Sequence, residues 1–457
     1  MKEKLLTYFK NIIESKFSMI FLSFVSILSF TLDLPFISYF VLLLTVLLIL
    51  ISDAEAKPLA GLIMLFTFSF REKGIRTDFG LGFLIGLGIV VGIVALIYLF
   101  KKRERIVEII KTDLVFDSLL FILLVMLISI RASEDIKLSF RGFYFYFLCV
   151  ATYFLSKLFI KPSSKEYVIY SIVVSGITLS IMALIGFLFK LDNSHIKELI
   201  KFKTSIKVGY SNPNHIAAIL NIVLIFAIYY FITYKSKLSK ILMIVYIPLF
   251  VICTLIARCR GGYLSLAITM PFVIAVVIYH YLKDNGKNIK NDLLYMGIVL
   301  GEIAIIFITF ASFGYLKDII NQLIKSGVDL SGRDKIYRKA FRVFLDSPLI
   351  GKGCYSSHYY LKEIGFGAWN YHNHALQFLA TGGVLGMISF VIFLYASIKV
   401  LISKDIFKLM LLCVTLYFIV HGIFDTIYFN KIIMPLLFIP LALVEPKEKY
   451  YELNYNI

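Results

Sequence analysis

HNHALQFLATGGVLGMISFVIFLYASIKVLI, residues 372–402, decides the class of fold. From Ala375 onward the run is almost wholly apolar, and it exceeds the roughly 20 residues that a helix needs to cross the hydrocarbon core of a bilayer. His372 and Asn373 stand at its entrance, and Gly383-Val-Leu-Gly386 follows after nine residues. The stretch therefore sets a titratable imidazole at a membrane surface. A loosely packed glycine helix with a His at its edge is the plainer account of the same letters.

Upstream, residues 315–374 form the longest interval between apolar runs in the chain. Intervals of that length usually carry a function. The composition agrees with the membrane reading, with 60% hydrophobic and 17% charged residues and 42 Phe and 29 Tyr among 457 positions. It predicts an all-α, polytopic helical membrane protein and excludes a soluble globular chain. No signal-peptide cleavage pattern follows the first residues, so the first apolar run is expected to be a retained span.

Apolar segments near 17–33, 35–52, 58–71, 79–100, 113–130, 141–160, 168–190, 213–234, 239–257, 261–282, 294–314, 375–402, 406–420 and 430–444 predict about 12–14 transmembrane helices. The expected organisation is one integral membrane domain, 1–457, with 315–374 as a large extracytoplasmic loop carrying amphipathic helices. Lys101-Lys102-Arg103 and the basic loops 161–165, 235–240 and 283–290 fall on one side, which puts both termini in the cytoplasm. Cys149, Cys253, Cys259, Cys354 and Cys413 are scattered and show no CxxC spacing, so neither a disulfide framework nor a zinc site is indicated.

In that topology the segments 191–212, 258–260 and 315–374 face outward with a net charge of about +8. A basic surface focuses anions, here lipid phosphates, pyrophosphates or acidic glycans and not nucleic acid. Ordinary solvated loop charge near headgroups reads the same way. Arg260 opens Arg-Gly-Gly-Tyr-Leu264 at a turn between spans, with Arg258 two residues earlier. A guanidinium there either snorkels at the interface or holds two phosphate oxygens. Ser331-Gly-Arg333-Asp334 has the form of a capping box opening an amphipathic helix through Phe344, ended by Asp346-Ser347-Pro348. Ile336, Ala340, Phe341 and Phe344 share one face of it, so the helix is expected to lie on the bilayer or against the bundle. Arg333 in its first turn is placed either for an anion or for a salt bridge to Asp334 or Asp346. Before the span at 213–234, Asn-Pro starts a turn and Asn214 is positioned to cap the helix.

Taken in order, the Gly209-x-x-Asn212-Pro213-Asn214 entry, the Arg260 turn, the Ser-Gly-Arg333 helix, Pro348-Leu-Ile-Gly351-Lys-Gly353, and His372-Asn373-x9-Gly383-x-x-Gly386 resemble the O-antigen ligase and O-antigen polymerase family over residues 200–425. The resemblance implies a GT-C-like fold and a metal-independent, cofactor-free, inverting glycosyltransferase. Its donor would be a glycan on an undecaprenyl-diphosphate carrier, used at the outer face of the cytoplasmic membrane, with a glycan or lipid acceptor and with a flippase and a chain-length regulator as partners. Matched by motif, Arg260 and His372 are the expected catalytic positions. Where such proteins carry an Arg before Asn-Pro-Asn, this chain offers Lys201, Lys203 and Lys207, and Lys207 is taken as the substitute. A Lys gives a point charge in place of a planar fork.

Chemically, a diphosphate leaving group needs fixed positive charge, and an acceptor hydroxyl needs a base. Imidazole ordinarily titrates near 6.5 and suits that second task. The expected binding residues besides Lys207 are Arg258, Arg333, Asn214, Asn373, His374 as a wall or acceptor contact, and Asp425, placed to orient the base or to touch sugar. Surface-polysaccharide polymerisation is the leading expectation. A ligase joining the chain to lipid A core or a protein shares the donor chemistry, and a transporter of lipid-linked oligosaccharide is the expectation from another class.

Overall fold

The computed structural model describes residues 2–58, 102–189, 213–283, 289–312, 332–430 and 432–444, with isolated positions between 61 and 321. Among the described residues the regular structure is α-helix and short 3₁₀ turns, without a strand. Among the described residues ten helices are long and apolar enough to cross a membrane, or eleven when the pair Lys4–Ile13 and Lys16–Leu32, bent by 69°, counts as one span. The chain is therefore a polytopic helical membrane protein. The expected spans 58–71 and 79–100 lie outside the described residues apart from isolated positions. The last expected span, 430–444, is corrected: it forms only the eight-residue helix Pro435–Ala442, buried on all sides. A run that short fills a core and does not cross a bilayer.

Two compact units share the chain, one from residues 1–103 and 159–327 and one from 104–158 and 328–457. The first contains α1 (Lys2–Ile13), α2 (Lys16–Leu32) and α3 (Pro35–Ser52). The second contains α4 (Arg103–Thr112), α5 (Leu114–Ser129) and α6 (Ile136–Phe159). The chain then returns to the first unit for α7 (Lys165–Leu188), α8 (Pro213–Thr233), α9 (Lys237–Ala257), α10 (Arg260–Lys283) and α11 (Ile289–Ser312). It ends in the second with α12 (Arg333–Asp346), α13 (Ser356–Lys362), α14 (His374–Leu401), α15 (Ile406–Phe424) and α16 (Pro435–Ala442).

In the first unit α8 is the central helix, packed by α7, α9 and α10. Its Ile, Ala, Leu and Val residues leave no polar face, which is the pattern of a helix buried all round. Asn221 is the exception. Its Nδ2 donates to the Gly262 carbonyl at 3.1 Å and so ties α8 to the α9–α10 turn. At the other end of the unit, Tyr167 and Tyr170 donate to the carbonyls of Ser15 and Lys16, fixing the bend between α1 and α2 on α7.

In the second unit Asp113 caps α5 by accepting from the amides of Val115 and Phe116. The same carboxylate takes a hydrogen bond from the Tyr153 hydroxyl and pairs with Lys157, so the start of α5 and the last turns of α6 meet at one buried charge. α14 packs along α5 and also supports α12 and α15. Stacked and edge-on rings of Tyr146, Phe378, Phe390, Phe393, Tyr428 and Phe429 fill the interior between them.

α14 is broken at Gly383, where φ is 64° and ψ −156°, a conformation essentially reserved for glycine. The segment 348–353 occupies the break. Lys352 and Gly353 donate their amides to the carbonyls of Ala380 and Thr381, while the amides of Val384 and Leu385 donate to the carbonyls of Pro348 and Leu349. Two carbonyls and two amides at the break thus find backbone partners, the condition for irregular backbone within an apolar span. A side chain at Gly383 would overlap the backbone of Leu349, and one at Gly351 (φ 67°) would overlap Thr381 and Gly382. The two glycine motifs singled out in the sequence are the two halves of one backbone joint.

Candidate functional site

The site grows from the last residues before α14. Asn373 caps this helix: its Oδ1 accepts from the Leu376 amide at 3.0 Å, and its Nδ2 donates to the Ile423 carbonyl at 3.2 Å. Asn373 thus fastens the start of α14 to the end of α15.

His372, immediately before the cap, has φ 52°, a left-handed conformation uncommon for a side-chain-bearing residue. Three bonds hold it there. Its amide donates to Asn370 Oδ1 at 3.1 Å, its carbonyl accepts from the Tyr337 hydroxyl at 3.2 Å, and its Nδ1 lies 2.8 Å from Asp425 Oδ1. Backbone held in a sparse region by surrounding contacts is a recurrent property of functional positions. The His372 side chain is 26% exposed and that of Asp425 only 4%. The carboxylate thus sits behind the ring, and Nε2 is the nitrogen left for a ligand.

Asp425 is fixed in turn. It follows α15 in extended backbone, its amide donates to the His421 carbonyl, and its Oδ1 accepts from the Thr426 amide at 2.8 Å. A base backed by a buried, oriented carboxylate is the arrangement of a general base whose imidazolium form is stabilised as it takes a proton.

Sequence reasoning missed Tyr337. It lies one turn after Arg333 on α12, the i to i+4 spacing that sets two side chains on one stripe, and this was the available signal. Burial raises the pKa of its phenol, and the Asp425 charge adds to that, while Arg333 opposes it through its charge and a hydrogen bond. Arg333, Tyr337, Asp425 and His372 therefore form one connected polar group within the second unit.

α12 itself differs from the expected helix in two ways. Its N-cap is Gly332 in left-handed backbone without a side-chain cap bond; Ser331, the expected capping residue, lies outside the described residues. Its buried face is Ile336, Ala340 and Val343, packed with Tyr360, Leu361, Tyr371 and Ala380, while Phe341 is exposed. Val343 takes the place expected for Phe341 because the stripe follows i, i+4, i+7. The helix rests on α14, which settles the bundle over the bilayer as the support of its apolar face.

His374 is a further correction. It is 5% exposed, and its Nε2 accepts from the amides of Ile427 and Tyr428, both at 2.8 Å. It pins the segment after Asp425 and offers no surface to an acceptor. Gly422 makes room for it, since a side chain there would overlap the imidazole.

The remaining candidates belong to the first unit. Arg258 is the left-handed C-cap of α9 (φ 47°) and is buried, and Arg260 begins α10 and is exposed. Cys259 Sγ accepts from the Gly262 amide, and Tyr263 donates to the Thr254 carbonyl, so the turn that presents the Arg260 guanidinium is itself tied down. Asn214 is the second residue of α8, inside the helix, and does not occupy the capping position expected for it. Lys207 lies outside the described residues.

The O-antigen ligase family model matches residues 244–391, from within α9 to beyond the break in α14. The chain thus carries an O-antigen ligase-type segment over those residues, within a multi-pass membrane protein, and proteins of that family act on glycans. Arg260, Arg333 and His372 fall inside the matched segment, and Asp425 falls beyond it. No curated protein matches the chain.

Proposed function

We propose that this protein is an inverting glycosyltransferase that polymerises surface polysaccharide from undecaprenyl-diphosphate-linked repeat units, at the outward face of the cytoplasmic membrane. The observation that carries the reading is the His372–Asp425 pair at the mouth of a span, whose imidazole lies within the O-antigen ligase-type segment. In the reaction, Nε2 of His372 removes the proton from an acceptor hydroxyl while Asp425 stabilises the imidazolium. The acceptor oxygen attacks the anomeric carbon, and the bond from that carbon to the diphosphate breaks with its electrons on the phosphate oxygen. Arg333, in the same unit as His372, supplies positive charge toward the diphosphate, and Arg260, Arg258 and Lys207 are donor-binding candidates by motif; fixed guanidinium groups need no reorganisation as that charge develops.

The test is reconstitution in liposomes with a short undecaprenyl-diphosphate glycan from the producing cell's own pathway, read as added repeats on a gel, with His372→Ala as control. A ladder that vanishes in the variant supports a carrier-dependent polymerase. A single transfer that requires a second lipid or a protein acceptor makes the protein a ligase with the same donor chemistry. Carrier translocation without any transfer contradicts both and favours a transporter.

A further inference from the structure

Trp369 is the sole tryptophan of the chain, and it lies three residues before His372. Its ring is 44% exposed and is not isolated. His358 stacks on it with ring centroids 3.9 Å apart and planes within 9°, and Tyr355 meets it edge-on at 5.6 Å. The Arg141 guanidinium lies 5.9 Å from the ring centroid. The backbone beneath is fastened as well. Ser357 Oγ donates to the Trp369 carbonyl at 2.7 Å, the Tyr371 amide donates to Gln377 Oε1 at 2.9 Å, and the His372 amide donates to Asn370 Oδ1.

We propose that Trp369, with the Arg141 guanidinium over its ring, is a pyranose-binding platform for the acceptor glycan, a proposal that rests on the transfer reading above. Three features argue for it. A flat, partly exposed indole backed by a second ring is a rigid surface on which the C–H face of a sugar ring stacks, and its rigidity keeps the entropy loss on binding small. The guanidinium donates to sugar hydroxyls or to the carboxylate of an acidic sugar. The chain from Trp369 to His372 spans at most about 11 Å, so a glycan lying on the indole presents its next residue to the imidazole. A tryptophan that only anchors a span at the headgroup level would be expected on a span end among apolar neighbours, whereas this one is on a loop among His, Tyr and Arg.

Because no other tryptophan contributes, intrinsic fluorescence reads this one ring. The full-length protein in liposomes is titrated with the carrier-free oligosaccharide repeat cut from the producing cell's surface polysaccharide. A saturable change in emission is expected, and His372→Ala, which cannot transfer, should retain it. In transfer assays Trp369→Ala should raise the acceptor KM roughly threefold to tenfold with kcat within about twofold, and Trp369→Tyr should restore most of the loss. The absence of an emission change at oligosaccharide concentrations that saturate wild-type transfer would overturn the platform and leave the transferase reading standing. Strong quenching by brominated lipid would also overturn it, by placing the ring against acyl chains. An emission change in a protein that transfers nothing to any acceptor would uphold the platform and overturn the transferase reading.

Discussion

At residues 370–374 the chain is held mainly by side chains, whereas the break at residues 380–385 is bridged by backbone. Asn370, Asn373, Tyr337, His374 and Asp425 each spend a side-chain atom on fixing the first stretch. The second stretch has lost its helical bonds at Gly383 and regains them from the main chain of 348–353. In the sequence the two look like one motif, a His-Asn pair and a glycine pair at fixed spacing. The difference shows that they do separate work: one end presents an imidazole, and the other sets the path of the helix that carries it.

Substitutions can break that division. The largest loss is expected for Gly383→Val, which must leave a glycine-only conformation and displace the backbone of Leu349. Such strain costs on the order of 1–3 kcal/mol before the overlap is added. Detergent-solubilised variant protein should elute as aggregate or melt well below wild type by size-exclusion thermal scanning. A normal melting curve would mean that the joint is not a structural requirement.

His372→Ala should do the reverse, leaving the melting curve close to wild type while glycan transfer falls about 10²–10⁴-fold, the usual span for a lost general base. Next, Asp425→Asn should keep the bond geometry but remove the stabilising charge, with kcat reduced and acceptor KM little changed. If KM rose and kcat held, Asp425 would be a sugar contact and not the partner of the base. Tyr337→Phe removes one hydroxyl that bonds the His372 carbonyl, and a fewfold loss of kcat with unchanged donor KM is expected. The smallest effect belongs to Asn373→Ala, a lost helix cap costing about 1 kcal/mol of stability, visible in a thermal shift and nearly silent in the turnover of folded protein.

The sequence disclosed what depends on hydrophobic length and composition. The spans around 213–233, 237–257 and 374–401 were legible because each is an apolar run of spanning length bounded by polar residues. The helix at 333–346 was legible in its charge pattern, but not in its cap or in which of Val343 and Phe341 is buried. His372 and Asp425 were each legible as unusual groups, since an imidazole and a carboxylate at span ends stand out. Their pairing adds what one-dimensional reading lacks, a distance of 2.8 Å across 53 residues. The joint at Gly383 was hidden for the same reason: its partner lies some thirty residues upstream, and a glycine pair in an apolar run reads equally well as close helix packing. His374 illustrates the opposite hazard, because proximity to a motif suggested a ligand contact where the fold uses the ring to hold two amides.

The central claim is that His372 and Asp425 act as one unit in proton removal, and a double-mutant cycle on glycan transfer in liposomes tests it most directly. The account predicts that His372→Ala/Asp425→Asn is no slower than His372→Ala alone, since the carboxylate has no task without the imidazole. Losses that multiply in the double variant, or a His372→Ala protein that still transfers at the wild-type rate, would contradict it.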